Sequence, residues 1–275
     1  MVTLYHVPAA ICAQKVRVCL AEKGVPYDTQ DVTGQFRSAE YLKLNPAGYV
    51  PTLVHEQHVI TESRVISEYV DESFDGPPLQ PADPYLRSVM RRWTKQIDES
   101  LHPFIFVLSF VPLFRDNILK LPEETRSKAY PLDPVKADRM RDMVERGWDS
   151  PWLRTGLQRF HNLVGDLEGA LEKTEWLAGD TYSLADADYT PYLQRMEDLG
   201  LSWLWADKPA LTAWYTRVRA RASFSAVIKD WAPPEERRDA EERAKQIATQ
   251  YRSIFMDSSG RSRAPAKTSL DHLQK

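Results

Sequence analysis

Residues 45–70 read NPAGYVPTLVHEQHVITESRVISEYV, and this stretch decides the fold. Asn45, Pro46 and Gly48 are turn formers, and they precede a short apolar run headed by Pro51. That run predicts a strand, and residues 58–60 predict a second strand after a polar turn. From there to Val70, apolar residues recur at helical spacing. The stretch therefore predicts the order turn, strand, strand, helix.

The proline at the head of the first strand has no N–H to donate, so the strand lies at a sheet edge or beside a ligand. In the cis form, Pro51 would turn the N–H and C=O of Val50 outward as a partner for an extended peptide, although X-Pro bonds are usually trans. Thr61, Glu62 and Ser63 open the following helix, whose N-terminus favours a carboxylate. Plain capping by Thr61 and Ser63 is the alternative for this stretch alone.

The motif NPxGxVPTL followed by TESRVI resembles the glutathione-binding half of the cytosolic glutathione transferase family. In that family, the residue before a cis-proline pairs with the cysteinyl backbone of glutathione, and a Glu/Gln-Ser pair holds the γ-glutamyl end. The resemblance implies that Val50 and Pro51 take the backbone-pairing place and that Glu62 and Ser63 take the γ-glutamyl place. Glutathione is accordingly the expected cosubstrate.

The glycine carboxylate of glutathione needs a cation shortly before the NPAG turn, where the family often has a basic residue. Arg37 falls at that position, and its planar fork can engage a carboxylate through two parallel hydrogen bonds. Lys43 is also within range, and a solvated surface arginine is the alternative for Arg37. The resemblance therefore implies Arg37 as the carboxylate ligand.

Length and composition limit the class of protein. The chain has 275 residues, of which 43% are hydrophobic and 27% charged, so it can bury the cores of two modest domains. A net charge of −3 gives no electrostatic footprint for nucleic acid. Cys12 and Cys19 lie in one predicted helix and favour a reducing compartment. We expect a cytoplasmic protein with no metal site, no membrane partner and no nucleic-acid partner, since no secretory signal or membrane-spanning stretch is present.

The chain in order predicts two domains. A βαβ unit followed by αββα predicts a thioredoxin-like domain with a mixed four-stranded sheet over residues 1–76, and the proline-rich residues 77–84 form a linker. Residues 85–232 predict an all-helical domain, and residues 233–275 a surface helix followed by a disordered tail. The fold class is therefore α/β plus all-α, as the resemblance also implies.

Two features of the helical domain guide its interpretation. A long first helix is expected from Tyr85 to Leu113, followed by a charged, proline-punctuated segment over residues 115–151. Further on, Ser183 and Asp186 match a capping box, which the family carries as a folding signal. We therefore interpret Asp186 as structural.

The expected chemistry requires a glutathione thiolate, whereas a free thiol has a pKa of about 8.5. The family uses a hydroxyl or thiol after strand 1, helped by the positive N-terminus of helix 1. In this chain the two corresponding positions are Ala10 and Ala13. Our leading mechanism is therefore stabilisation by the helix N–H groups of Ile11, Cys12 and Ala13.

Cys12 offers a side-chain alternative. A helix terminus would lower the pKa of its thiol, which would then hydrogen-bond the glutathione sulfur or form a mixed disulfide with it. The competing interpretation is a small buried hydrophobe, and the sequence leaves the two even. Cys19 and Tyr5 are expected to pack, and the role of His6 stays open.

Aromatic residues near the start of the helical domain suggest a pocket for an apolar, aromatic second substrate. The alternative is ordinary core packing, which we expect for some of them. The chosen pocket residues are Phe104, Phe110, Phe114 and Trp152, with Phe106 and Trp148 nearby.

The motif PADPxxRxxMRxWTKxxDE and the long 115–151 segment resemble a bacterial branch that includes glutathione-dependent β-etherases of lignin-derived aryl ethers. The first hypothesis is a glutathione S-transferase acting on an aromatic electrophile, with β-aryl ether cleavage as its narrower form. The alternatives are a Cys-dependent thiol transferase or glutathione lyase, and a non-catalytic glutathione-binding subunit. The family implies a homodimer, with a heterodimer as alternative, and Arg64, Tyr69, Met90 and Trp93 supply either its surface or intrachain core.

Overall fold

The computed structural model describes residues 1–131, 133–229 and 234–257. Its sheet has the order β2-β1-β3-β4, with β1 parallel to β2 and antiparallel to β3, and with β3 antiparallel to β4. This confirms the mixed four-stranded sheet of a thioredoxin-like domain. The strands are β1 (Val2–His6), β2 (Asp28–Asp31), β3 (Thr52–His55) and β4 (His58–Thr61).

Three helices accompany the sheet: α1 (Ile11–Lys23), α2 (Ala39–Leu44) and α3 (Ser63–Ser73). Gly24 ends α1 with a φ of 66°, a left-handed conformation that glycine adopts without a steric penalty. Ser38 begins α2 by accepting a hydrogen bond from the N–H of Tyr41. The second part of the described chain is helical, as expected.

The helices of this second part follow the predicted order with shifted bounds. They are α4 (Pro84–Gln96), α5 (His102–Leu113), α6 (Arg115–Leu119), α7 (Glu123–Ala129), α8 (Pro134–Arg146), α9 (Pro151–Leu171), α10 (Leu184–Asp198), α11 (Pro209–Arg219), α12 (Ala222–Phe224) and α13 (Pro234–Met256).

The expected single helix from Tyr85 to Leu113 is interrupted. A π-helical turn, Ile97–Leu101, separates α4 from α5, and Pro103 lies in the first turn of α5. Such a wide turn rotates the side chains that follow, so it sets which residues of α5 face the sheet domain. The segment expected to be irregular over residues 115–151 also contains three helices.

In α1, helical spacing places Val16, Cys19 and Leu20 on one face and predicts that the charged residues lie on the other faces, which the structure corrects. Lys15 and Arg17 are 0% exposed, and Lys23 is 6% exposed. The reason is that α1 lies between the sheet and the helical domain, so its polar face becomes an internal interface. Two charged residues of α1 form ion pairs: Lys23 with Asp71 at 3.2 Å, and Glu22 with Arg221 at 2.6 Å.

Helix α13 lies on the helical domain with one face packed. Ile247 and Tyr251 are buried, and the Tyr251 hydroxyl donates to the carbonyl oxygen of Leu108. Most of its other side chains from Glu241 onward are exposed. The expected tail over residues 258–275 falls outside the described residues.

Candidate functional site

The loop before β3 presents one backbone unit. The Val50–Pro51 peptide bond is cis, and Val50 is only half-buried. Behind it, the Tyr41 hydroxyl and the Asn45 side-chain amide donate to the carbonyl oxygen of Tyr49 at 2.7 and 2.9 Å. The loop is therefore fixed from the inside while Val50 stays accessible. The sequence analysis missed Tyr41. A tyrosine in the predicted short helix is its only sequence signal, because its burial is seen only in the structure.

The start of α3 excludes plain capping. The residue at the N-cap is Glu62, which makes no side-chain capping hydrogen bond and has a φ of 69°. A positive φ in a residue other than glycine costs energy and is common at functional sites. The Ser63 hydroxyl instead accepts a hydrogen bond from Lys15 at 3.3 Å. Glu62 and Ser63 thus lie together at the domain interface with their polar groups uncommitted to the helix.

Lys15 is a site residue that the sequence analysis missed, because its helical spacing suggested a solvated face. Its ammonium group lies 3.2 Å from an oxygen of Asp188 and 3.7 Å from one of Asp98. Burial raises the pKa of Asp188 to about 6, against the opposing effect of Lys15. The desolvation of the Asp188 carboxylate therefore outweighs its attraction to Lys15. We interpret this ion pair as holding the Lys15 ammonium beside Ser63 rather than as a source of stability.

The N-terminus of α1 lacks a side-chain cap, since its N-cap residue is Ala10. The N–H of Ala13 donates to the Ala10 carbonyl oxygen at 3.0 Å, so this group is already engaged. Ile11 and Ala13 are both buried, and the Ile11 side chain belongs to the hydrophobic core. Of the three predicted residues, Cys12 alone offers a reactive side chain.

The thiol of Cys12 corrects the expectation of a lowered pKa. Burial raises the pKa of Cys12 to about 11, although Lys15 and the N–H groups of Ala13 and Cys12 act in the lowering direction. The helix terminus does favour the thiolate, but desolvation is the larger effect. The neutral thiol donates to the carbonyl oxygen of Val50 at 3.2 Å. Cys19 is fully buried.

Arg37 lies beside the turn, where a Cβ added to Gly48 would be 3.9 Å from the Arg37 side chain. Its guanidinium donates to the carbonyl oxygen of Tyr130 at 3.5 Å. Tyr130 directly follows α7, so this helical segment contacts the region before β3. Lys43 is exposed in the last turn of α2.

The four pocket residues separate into two groups. Phe110 is 1% exposed and belongs to the hydrophobic core, while Phe114 is 40% exposed at the end of α5. Phe104 and Trp152 lie together, because the guanidinium of Arg139 lies over both rings, at 5.4 and 4.6 Å from their centroids. Phe110 is therefore unavailable to a substrate, and Phe104, at 7% exposed, is also buried, whereas its neighbour Trp152 is half-buried.

Two other residues singled out from the sequence are structural. Asp186 accepts hydrogen bonds from Ser183, from the N–H of Leu177 and from the indole of Trp214. His6 is buried and hydrogen-bonds Arg17 at 3.0 Å, and its pKa is lowered to about 4 by burial and by Arg17. Neither residue is aimed at the glutathione-binding loop.

The residues considered for a dimer surface are largely intrachain. Met90 and Trp93 are buried in the core, and the hydroxyl of Tyr69 hydrogen-bonds His55 at 2.8 Å. Arg64 forms an ion pair with Glu68. In the part of the chain that the structure describes, no three His, Cys, Asp or Glu side chains could hold a metal ion, and no helix is long and apolar enough to cross a membrane.

Comparison with known proteins agrees with this architecture. Residues 4–78 match the glutathione S-transferase N-terminal domain and residues 150–217 match the C-terminal domain of that family. A stringent starvation protein A homolog of Coxiella burnetii is 42% identical over 73% of this chain and 78% of its own. The tetrachloro-p-hydroquinone reductive dehalogenase of Sphingobium chlorophenolicum is 27% identical over 84% and 97%.

Protein LigF of Sphingobium sp. is 29% identical over 82% of this chain and 92% of its own. The crystal structure of beta-etherase LigF covers 83% of this chain and 99% of that one, with a TM-score of 0.73 and 27% identity. The chain belongs to the glutathione S-transferase family. Homologues in this family bind glutathione as a cosubstrate or ligand and are generally dimeric.

Proposed function

We propose that this protein is a glutathione S-transferase that joins the glutathione thiolate to an aromatic electrophile. One observation carries the proposal: the uncapped N-terminus of α1 lies beside the half-buried Val50, whose carbonyl oxygen accepts a hydrogen bond from Cys12 at 3.2 Å. A glutathione cysteinyl group paired with Val50 would have its sulfur close to the positive end of the helix. Residues 1–76 would bind glutathione, and residues 85–232 the electrophile.

Glutathione is proposed to lie along the loop in an extended form. Val50 and Pro51 would pair with its cysteinyl backbone, Glu62 and Ser63 would hold the γ-glutamyl end, and Arg37 would bind the glycine carboxylate. The backbone conformation of Glu62 and the absence of capping by Ser63 support this assignment.

In the proposed reaction, the glutathione thiol loses its proton to solvent and the sulfur attacks the electrophilic carbon. A C–S bond forms while the bond to the leaving group breaks, and that group departs with the electron pair. For an aryl ether, the leaving group is a phenolate, which water protonates. The similarity to beta-etherase LigF supports this narrower reaction.

A second candidate is glutathione-dependent thiol transfer by Cys12, which its position beside Val50 favours. Its thiolate would attack the disulfide of a glutathionylated substrate, expel the substrate thiolate and form a mixed disulfide that a second glutathione resolves. The raised pKa of Cys12 opposes this reaction at neutral pH. A non-catalytic subunit is the remaining alternative, because Ala10 and Ala13 lack a hydroxyl.

Mass spectrometry of products formed from glutathione and 1-chloro-2,4-dinitrobenzene or a β-aryl ether tests the proposal. A thioether formed by wild type and by Cys12→Ala supports the transferase. Thiol transfer is supported instead if wild type forms no thioether but releases the thiol of a glutathionylated substrate, and if Cys12→Ala loses this disulfide exchange. If wild type forms no product and Ala10→Ser or Ala13→Ser does, the native chain is non-catalytic.

The bound thiol gives a second readout, through the ultraviolet absorbance of the thiolate against pH. A shift of one pKa unit needs about 1.4 kcal/mol, so the helix N–H groups must act together in a partly desolvated site. We further propose a cytoplasmic homodimer. Sedimentation at micromolar concentration tests the dimer, and mixing with related subunits tests a heterodimer.

A further inference from the structure

Three cations of the helical domain lie over aromatic rings, one at the loop before β3 and two at the Phe104–Trp152 cluster. The ammonium of Lys136 lies over the Tyr49 ring, 5.3 Å from its centroid. One turn further along α8, Arg139 lies over Phe104 and Trp152. From α9, Arg159 lies over Phe104 at 4.5 Å. Lys136, Arg139 and Arg159 are called the basic cluster below.

The two arginines of this cluster lack an acidic partner. Among the described residues, neither Arg139 nor Arg159 forms an ion pair with a carboxylate. The Nε of Arg139 is buried without a hydrogen-bond partner in the described chain. Burial and the like charge of Arg159 both lower the pKa of Arg139, against a smaller opposing effect of Asp133. Two guanidinium groups that repel one another are therefore held together by the rings they cover.

The nearby carboxylate of Asp133 is already used, since it accepts the N–H of Lys136 at 3.0 Å as the N-cap of α8. Helix α8 lies between the two matched family ranges, 4–78 and 150–217, whereas Arg159 lies within the second range. The basic cluster therefore combines residues from outside and inside the matched domains.

The guanidinium groups also change which ligands Phe104 and Trp152 can contact. Their ring faces are covered by guanidinium groups, so those faces are closed to a stacked aromatic ligand. A guanidinium that stacks on a ring keeps its N–H edge free for a planar, two-oxygen anion. We propose that Arg139 and Arg159 bind an anionic group of the electrophile, which is therefore an aromatic carboxylate rather than a neutral arene. This inference rests on the proposed transferase function.

Lys136 places the bound anion relative to glutathione. Tyr49, which it covers, directly precedes Val50, and Arg139 lies on the same face of α8 at spacing i, i+3. A carboxylate held by Arg139 and Arg159 leaves the rest of the aromatic ring directed toward the loop. The basic cluster thus acts as an anchor that orients the electrophilic carbon toward the sulfur.

A matched pair of electrophiles tests the anchor: 4-chloro-3-nitrobenzoate and 4-chloro-3-nitrobenzamide, which differ in charge but not in leaving group. Glutathione displaces chloride from either. We expect wild type to favour the benzoate in kcat/KM by about tenfold, or about 1.4 kcal/mol. Arg139→Gln and Arg159→Gln should abolish this preference. Arg154→Gln, which removes an exposed charge from the same helix α9, should keep it.

Equal turnover of both electrophiles by wild type overturns the inference and leaves the transferase function intact. An unchanged preference in Arg139→Gln with a raised KM for glutathione also overturns it, because the cluster then binds the carboxylate of glutathione itself. If wild type turns over neither compound, the proposed function fails. In that case, calorimetry measures the binding of the unreactive 3-nitrobenzoate and 3-nitrobenzamide. Tighter binding of the benzoate, lost in Arg139→Gln, supports the anion site. Equal binding of the two compounds overturns it.

Discussion

The thiol of Cys12 donates a hydrogen bond to the carbonyl oxygen of Val50 at 3.2 Å, so the first turn of α1 is tied to the loop that would pair with glutathione. Burial raises the pKa of this cysteine. Its hydrogen-bond acceptor is the backbone of the residue before the cis-proline, which the family uses to bind glutathione. The thiol therefore acts first as a donor that positions the loop. Glutathione binding next to Val50 would bring a second sulfur to the same helix terminus.

Cys12 is expected to react slowly with iodoacetamide at neutral pH, because the thiolate is the reactive form and the pKa is raised to about 11. Between pH 7 and 9.5 the initial alkylation rate should rise about tenfold per pH unit without a plateau. Peptide mass spectrometry distinguishes Cys12 from the buried Cys19, which serves as an internal control. A plateau below pH 8 would contradict the raised pKa.

Breaking the Lys15–Asp188 pair should be costly, since Asp188→Leu leaves the buried Lys15 ammonium with the more distant and more exposed Asp98 carboxylate at 3.7 Å. Asp188→Leu is expected to lower the free energy of unfolding by roughly 3 to 5 kcal/mol, whereas Lys15→Met with Asp188→Leu should recover much of the loss. Chemical denaturation measures both. The double variant should also bind glutathione more weakly, because Ser63 loses its donor. Equal stability of the single and double variants would refute the coupling.

Gly200 is expected to tolerate no side chain. Its φ is 65°, and a Cβ there would lie 2.2 Å from the carbonyl oxygen of Ala244 in α13. Gly200→Ala should therefore destabilise the protein by more than about 1 kcal/mol. Gly169→Ala is the matched control: it lies within α9 with open space around it and should stabilise by about 0.5 to 1 kcal/mol. If Gly200→Ala matches Gly169→Ala, α13 does not pack as described.

His102 predicts a loss of stability in mild acid. Burial, followed by the charge of Lys15, lowers its pKa from 6.5 to about 4, and the ring hydrogen-bonds Tyr192 at 2.8 Å. The unfolded chain binds a proton at this residue below pH 6.5 while the folded chain does not, so stability falls as the pH falls toward 4.

Relative to wild type, His102→Gln should therefore lose roughly 1 kcal/mol less stability between pH 7.5 and 5, after allowance for partial exposure. Urea denaturation at the two pH values measures this difference. His58→Gln, at an exposed position on β4, is the control. An identical pH dependence of wild type and His102→Gln would contradict the prediction.

The sequence by itself determined the fold class and the order turn, strand, strand, helix over residues 45–70. Turn formers, a strand-initial proline and a helix start at Ser63 are local signals, and each depends on the backbone preferences of a few neighbouring residues. The capping box of Ser183 and Asp186 was predicted for the same reason, because its partners lie three residues apart.

Only the tertiary structure decided the ionisation and the contacts of the site. The pKa of Cys12 depends on burial by both domains, and no helical pattern shows that the polar face of α1 packs against α10. Lys15 was missed because its partner Asp188 is distant in sequence. The arginines over Phe104 come from two further helices, α8 and α9, and were missed likewise. Desolvation and long-range pairing arise from packing, which local sequence periodicity does not encode.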